Sequence, residues 1–315
     1  NCQSQSNPKI KTDINPLICK PDSGFCEIPT DTTSSKNNRN LKAMRKPIKI
    51  IYFTDPICSA CWGIEPQLRK LNLAYGEMVE IEYHMGGLLP DWSYNSGGIS
   101  KPTDVAHHWD EVSKYYDMPI DGDLWLEDPL HSSYPPSIAF KAAQMQDPEK
   151  AVLFLREIRE MVFLQKKNIT KWNYLETAAR KVGLNTEKFK AEYEGTAKGP
   201  FEADLKLCRE MGVRGFPTLF ITDTTGKSIT VNGAKSYKVI EASILQLLPT
   251  ASSKSYETTW LPIFQRYHSL TAREYAELTG TKREETESFL DSLVTNGKLE
   301  KHKTKNGSIW RLKGN

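Results

Sequence analysis

The chain has 315 residues, a net charge of +3 and six cysteines, and 38% of its residues are apolar. This length can bury a substantial core and usually holds two domains, and this composition is typical of a globular protein. Six cysteines are too few for a scaffold held together by disulfides, and no apolar run reaches the roughly 20 residues that span a membrane.

The first 46 residues are polar and lack periodic apolar positions, which predicts an extended N-terminal arm. Within this arm Cys19 and Cys26 flank a turn-forming Pro-Asp-Ser-Gly segment. They are a candidate second redox pair, because a tight loop can bring both sulfurs into bonding range. Two thiols on a mobile arm are an equally good interpretation.

The start of the chain shows neither the basic segment nor the apolar segment of a signal peptide. We therefore expect a cytoplasmic protein. Export, or a lipid anchor near Cys2, is the alternative if a processed signal was removed.

Residues 48–62 carry a C-x-x-C motif between a predicted strand and a predicted helix. The apolar run IKIIYFT ends at Asp55-Pro56, and residues 61–75 repeat apolar positions at helical spacing. Cys58 is thus expected at a helix N-terminus, where the helix dipole and backbone N–H groups favour a thiolate. We expect Cys58 to be the attacking thiolate, more acidic and more accessible than Cys61, and Cys61 to be the resolving thiol.

Two other interpretations of the motif stay open. A zinc site needs a second pair of ligands, and the sequence offers only the scattered candidates Cys19, Cys26 and His84. Alternatively, both sulfurs are unreactive and buried. We expect no metal site.

Further along, residues 78–85 predict a strand and residues 86–200 a helical insertion. The segment MGVRGFPTLFI, residues 211–221, passes through a glycine-flanked turn and Pro217 into an apolar strand. A hairpin and a helix then follow, up to residue 249.

The chain has a predicted strand, a C-x-x-C motif and a predicted helix, followed far downstream by G-V-x-G-x-P-T. This order of elements resembles the thioredoxin superfamily and its DsbA-like branch. Residues 82–92 and 128–136 resemble its FrnE-like and YjbH-like members in particular. Over residues 47–249 the resemblance implies an α/β fold, thioredoxin-like with a helical insertion. It also implies a cis peptide bond before Pro217, which faces the cysteines, and a Phe216 backbone that pairs with an incoming peptide.

The residues between the cysteines, Ser59-Ala60, differ from the histidine or proline of many oxidases in this branch, which argues against strong oxidising power. Trp62 and Trp92 are candidate substrate contacts. Packing is the more common role of such aromatic side chains.

Residues 250–255 form a Ser-rich linker, and residues 256–315 predict three helices and a hairpin that resemble a winged helix, a small α+β domain. The third helix is acidic, with Glu284 and Glu285 among its carboxylates, so DNA is not a favoured partner. We expect an autonomous module that binds a protein client and is not needed for redox chemistry.

The resemblance implies two alternative functions. The first is a thiol-disulfide oxidoreductase that acts on protein or small-molecule thiols and disulfides. It needs no cofactor beyond the Cys58–Cys61 disulfide, and glutathione is one candidate thiol partner. The second is a redox-sensitive adaptor of the YjbH-like kind, which delivers a client protein to a protease.

Overall fold

The computed structural model describes residues 46–93 and 100–314, together with the backbone of residues 19–20 and 25–27 in the N-terminal arm. The remaining arm residues, including Cys2, lie outside the described ranges. Ten strands and thirteen helices occur within the described parts of the chain.

Four strands form the central sheet in the order β4-β3-β6-β7. β3 pairs with β4 in parallel and with β6 antiparallel, and β7 pairs antiparallel with β6. The four strands are β3 (Ile48–Thr54), β4 (Val79–Met85), β6 (Thr218–Asp223) and β7 (Ser228–Asn232).

Alternation along β3 divides the core between the two faces of this sheet. Ile48, Ile50 and Tyr52 pack against α2 (Glu65–Tyr75) and α10 (Tyr237–Leu247). Phe53, at an intervening position, belongs to the second core, which also contains the cysteines of the C-x-x-C motif. The motif therefore sits on the face that carries the helical insertion.

The helical insertion connects β4 to β5 (Gly215–Phe216). It comprises α3 (Pro102–Tyr116), α4 (Leu124–Glu127), α5 (Tyr134–Gln146), α6 (Pro148–Leu164), α7 (Trp172–Lys181), α8 (Thr186–Glu194) and α9 (Lys198–Glu210). Buried Asp204 of α9 fastens the insertion to β4, since its carboxylate accepts from the Met85 backbone N–H at 2.9 Å and contacts the His84 ring at 2.7 Å. The α/β fold with a helical insertion is thus confirmed.

The C-terminal unit, residues 256–314, has a small core of its own around Phe264, Leu290 and Trp310. Its sheet has the order β8-β10-β9. The elements of this unit are α11 (Trp260–Tyr267), β8 (Ser269–Thr271), α12 (Ala272–Thr279), α13 (Arg283–Thr295), β9 (Leu299–Thr304) and β10 (Gly307–Leu312).

Charged side chains are buried between this unit and the rest of the molecule. Glu274 of α12 accepts two hydrogen bonds from Arg156 of α6, at 2.7 and 3.0 Å, and lies 3.2 Å from Arg69 of α2. Glu160 of α6 pairs with Arg311 of β10 at 2.5 Å. Removing the unit would take a buried carboxylate from Arg156 and Arg69 and a cation from Glu160. The buried pairs argue against the autonomous module that we expected, which stays a prediction.

A second small sheet joins the N-terminal arm to the body. β1 (Cys19–Lys20) pairs antiparallel with β2 (Phe25–Glu27), and β2 pairs antiparallel with β5. The arm is thus hydrogen-bonded to the short strand that precedes Pro217.

Candidate functional site around Cys58 and Cys61

The C-x-x-C motif spans the start of a short helix, α1 (Ser59–Gly63). Cys58 is its N-cap, and the Cys58 sulfur accepts a hydrogen bond from the Cys61 backbone N–H at 3.1 Å. We expected one helix over residues 61–75. The chain instead breaks at Ile64, between α1 and α2, because Pro66 in the first turn of α2 offers no N–H to continue the ladder.

Both sulfurs are buried, with exposed fractions of 0% for Cys58 and Cys61. Burial raises the pKa of Cys58 well above the usual thiol value. Burial also disfavours a Cys61 thiolate, but hydrogen bonding from Cys58 and the positive charge of Arg159 outweigh it and lower the pKa of Cys61. The order of acidity that we expected is therefore reversed, and neither sulfur is more accessible than the other.

Arg159 of α6 is the cation that approaches Cys61. Its guanidinium donates to the Thr54 hydroxyl at 2.6 Å and to the Asp55 backbone carbonyl at 3.2 Å. Glu65 accepts a third hydrogen bond from it at 2.5 Å. One fully buried arginine thus supports the loop that connects β3 to the cysteines.

Asp55 fixes the other side of this loop. Its carboxylate accepts hydrogen bonds from the backbone N–H groups of Ile57 at 3.0 Å and Leu88 at 2.8 Å, and from the Ser133 hydroxyl at 2.8 Å. Burial nevertheless raises the pKa of Asp55 to about 6. The Asp55 charge in turn contributes to the raised pKa of Cys58.

Our reading of the sequence missed Asp55 and Arg159 as parts of the site. Asp55 stood in the Asp-Pro pair that marked the end of β3, and only its value as a turn signal was used. Arg159 gave no signal, since it lies in the middle of an amphipathic helix.

The Phe216–Pro217 peptide bond is cis. Thr218 pairs with Phe53 in the central sheet. Pro217 therefore lies at the edge of the sheet where β3 ends and the chain continues to the cysteines. The Phe216 ring covers Gly86, where an added Cβ would fall 1.8 Å from the ring. The structure therefore brings the two segments singled out in the sequence to the same edge of the sheet.

Trp62, one of two candidate substrate contacts, is a core residue, and we correct its assignment. Its exposed fraction is 0%, its indole donates to the Pro119 carbonyl at 3.0 Å, its ring stacks on Phe163, and Arg156 lies over it. A substrate has no surface of this ring to touch.

Trp92, the other candidate, packs edge-on against Trp125, and its indole donates to the Leu130 carbonyl at 2.8 Å. These contacts give it a structural role, and its role toward a substrate stays a prediction.

Cys19 and Cys26 are directly opposite each other in the pairing of β1 with β2. Cys26 is also opposite Phe216 in the pairing of β2 with β5. The candidate second redox pair is thus adjacent to the edge that carries Pro217.

Across the described ranges, no cluster of three or more His, Cys, Asp and Glu side chains is arranged to hold a metal ion. Nor does any helix in those ranges combine the length and apolar character needed to cross a membrane.

Comparison with known proteins gives consistent similarities. A sequence model of the family described as Thioredoxin matches residues 52–242. The ClpXP adapter protein SpxH of Halalkalibacterium halodurans is 34% identical over 304 residues, which cover 94% of this chain and 97% of that protein. SpxH of Bacillus subtilis is 32% identical over 273 residues, which cover 85% of this chain and 90% of that protein.

Among solved structures, one from Nitrosomonas europaea, named there as a proposed protein disulfide isomerase, has a TM-score of 0.55 and 21% identity. The match covers 65% of this chain and 97% of that one. At this level the likeness concerns the fold alone.

Proposed function

Because this chain belongs to the thioredoxin family and to the family of SpxH adapter proteins, we propose that it is an adapter that delivers a client protein to ClpXP. The observation that carries the proposal is the extent of the similarity. The adapter relative matches 94% of the chain, whereas the solved disulfide isomerase-like structure accounts for 65% of it. A match over 94% of the chain includes most of the C-terminal unit, whereas the Thioredoxin family model ends at residue 242.

The packing of the C-terminal unit supports an adapter. Ion pairs of Glu274 and Glu160 hold it against α2 and α6, so that body and unit form one continuous surface. A cavity of about 550 Å³ opens at this junction, and its lining includes Arg69, Leu153 and Tyr267. Leu153 is about half exposed there, which suits a site that a client covers.

The test follows protein half-lives in cells that lack this chain. We expect a set of proteins to be stabilised, and their degradation to return with the wild-type chain in a ClpXP-dependent manner. As a control, the variant Glu284→Gln, which changes an exposed carboxylate on α13, should also restore degradation. If no half-life depends on the chain, the adapter proposal is wrong.

A second candidate function is thiol-disulfide exchange, and the observation that favours it is the placement of Cys58 at the α1 N-cap beside a Cys61 of lowered pKa. The exchange would use Cys58 as the attacking sulfur and Cys61 as the resolving one, against a protein or small-molecule disulfide such as oxidised glutathione. A redox titration against glutathione measures it. We expect one intramolecular disulfide to form within the glutathione range, and a pair that never forms it would exclude the activity.

Cysteine variants separate the two functions. Cys58→Ser and Cys61→Ser remove disulfide exchange, yet an adapter with a merely regulatory cysteine pair should still restore client degradation. Loss of degradation in folded variants would instead mean that the client is held through exchange chemistry. Either role is consistent with the cytoplasmic location that we expected.

A further inference from the structure

The short strand β5 has its hydrogen-bonding partner in the N-terminal arm. β2 runs antiparallel to it, with Cys26 opposite Phe216 and Glu27 opposite Gly215. β5 consists of two residues and leads directly into Pro217. The arm thus adds a strand to an otherwise open edge, which is how many domains bind an extended peptide.

This added strand also lies beside the C-x-x-C helix. Backbone positions of β2 come within 8 Å, Cα to Cα, of positions in α1 (Ser59–Gly63). β2 therefore runs between the cis-proline edge and the helix that begins at Cys58. An extended segment at this place therefore lies beside the C-x-x-C helix.

The register places a cysteine at the centre of this strand. A slip by one residue would turn every side chain of β2 to the other face, so the pairing of Cys26 with Phe216 is a specific arrangement. On the far side of β2, Cys19 is paired with Cys26. Paired residues of antiparallel strands have Cα atoms about 4.5–5.5 Å apart, which is within the range of disulfide-linked cysteines.

We propose that β2 is an intramolecular substrate strand, and that Cys26 exchanges a disulfide with Cys58. The proposal goes beyond the adapter role and rests on the exchange chemistry proposed for Cys58. A small-molecule disulfide such as oxidised glutathione first oxidises Cys19 and Cys26 to a disulfide and is itself reduced to two thiols.

The exchange then balances within the chain. The Cys58 thiolate attacks the Cys26 sulfur, the Cys19–Cys26 bond breaks, and Cys19 leaves as a thiolate that takes up a proton. Cys61, as its thiolate, attacks the Cys58 sulfur, the Cys26–Cys58 bond breaks, and Cys26 leaves and takes up a proton. Two electrons and two protons have moved from the Cys58 and Cys61 pair to the arm pair.

A trapping experiment in the full-length chain tests this step. The double variant Cys19→Ser, Cys61→Ser keeps Cys26 and Cys58 and removes the sulfurs that would resolve their mixed disulfide. After treatment with oxidised glutathione, non-reducing peptide mass spectrometry should find Cys26 linked to Cys58 as the main cross-link. The matched variant Cys26→Ser, Cys61→Ser keeps Cys19 instead and should give at least about tenfold less cross-link to Cys58.

Comparable cross-linking of Cys58 to Cys2, Cys19 and Cys26 would overturn the proposal. It would show that Cys58 meets the cysteines of the arm at random, without the pairing of β2 with β5. Exclusive glutathione adducts on Cys58 would overturn it as well. Exchange of the wild-type chain with a small disulfide, measured in parallel, tells the two failures apart. If that exchange occurs without the Cys26–Cys58 link, only the substrate-strand proposal fails, and if it is absent, the exchange chemistry fails with it.

Discussion

Asp55 is a carboxylate held inside the protein by three hydrogen-bond donors. Those donors favour its charged form, but burial disfavours that form more strongly and raises the pKa to about 6. The charge would form beside Cys58, whose thiolate it opposes. A change of pH across this range therefore alters both the stability of the loop and the reactivity of its sulfur.

The sign of the pH effect follows from the folded pKa of about 6, which lies above the ordinary aspartate pKa of 3.8. The folded state holds the Asp55 proton more tightly than the unfolded state. The contribution of this group to stability is thus fully present below about pH 4 and is lost as the pH rises through 6. A shift of this size corresponds to about 3 kcal/mol.

Replacement of Asp55 by Asn removes the titration and keeps the shape. Relative to Asp55→Asn, we expect the wild type to lose about 2–3 kcal/mol of unfolding free energy between pH 4 and pH 8. Urea denaturation at a series of pH values measures both proteins, and Glu202→Gln on the exposed face of α9 controls for the loss of one carboxylate. Parallel profiles of wild type and Asp55→Asn would contradict the raised pKa.

Arg159 acts on the other sulfur. We expect Arg159→Met to raise the pKa of Cys61, because a nearby positive charge that favours the thiolate is lost. Arg159→Lys keeps the charge and should retain part of the effect, although it cannot reproduce the planar fork of hydrogen bonds. The pH dependence of thiolate ultraviolet absorbance in the reduced protein measures the change.

The matched control for these variants is Arg180→Met, which removes an arginine from the solvent-exposed side of α7. A thiolate titration that is identical in the wild type and Arg159→Met would show that Arg159 is structural only.

At the scale of elements, Gly86 decides how closely β5 approaches the end of β4. Any side chain there meets the Phe216 ring, since an added Cβ falls 1.8 Å from one ring carbon and 2.1 Å from another. Phe216 would have to move, together with the strand that pairs with the arm. This glycine therefore permits the contact between the cis-proline segment and the sheet.

We predict that Gly86→Ala destabilises the protein by about 1–3 kcal/mol through overpacking. It should also weaken the pairing of β2 with β5, which hydrogen exchange at the Phe216 and Cys26 backbone amides would report. Gly199→Ala is the control, because nothing lies within 4 Å of its added Cβ and alanine suits its position in α9. Equal stability of both alanine variants would show that the Phe216 ring can move aside without a loss of unfolding free energy.

The elements were predictable where their signal is local. The run IKIIYFT gave β3 because apolar residues of strand length end at a turn signal, and the Pro217 turn was marked by its own flanking glycines. The break at Ile64 was missed because the apolar spacing continues through it. The partnership of Arg159 with Asp55 joins residues 104 positions apart, and no local pattern encodes such a contact.

At the scale of the whole molecule, α6 connects the cysteine loop to the C-terminal unit. Arg159 reaches the loop, while Arg156 and Glu160, on the neighbouring positions of the same helix, reach Glu274 and Arg311. The sequence could not reveal this connection. A Ser-rich linker and an independent apolar pattern are as typical of a loosely tethered domain as of one that packs against the body. Only the tertiary placement of buried charges decides between the two.

We expect Glu274→Gln to cost about 3–5 kcal/mol, because it leaves Arg156 and Arg69 with less negative charge in a buried site. Thermal and urea denaturation measure the loss, and limited proteolysis should show cleavage within residues 250–255. Glu284→Gln in the same unit should stay within about 0.5 kcal/mol of the wild type, as exposed substitutions usually do. Equal stability of the two variants would mean that the unit is held by apolar packing alone.

The position of three charged residues within a five-residue stretch of α6, from Arg156 to Glu160, has a thermodynamic consequence. Contacts to the cysteine loop and to the C-terminal unit are made by one helix, so a shift of α6 changes both sets together. Where binding of a client at the C-terminal unit moves this helix, the midpoint potential of the cysteine pair must move by the same coupling free energy. Oxidation of the pair must then change the affinity for that client by the same factor, whichever of the two events comes first.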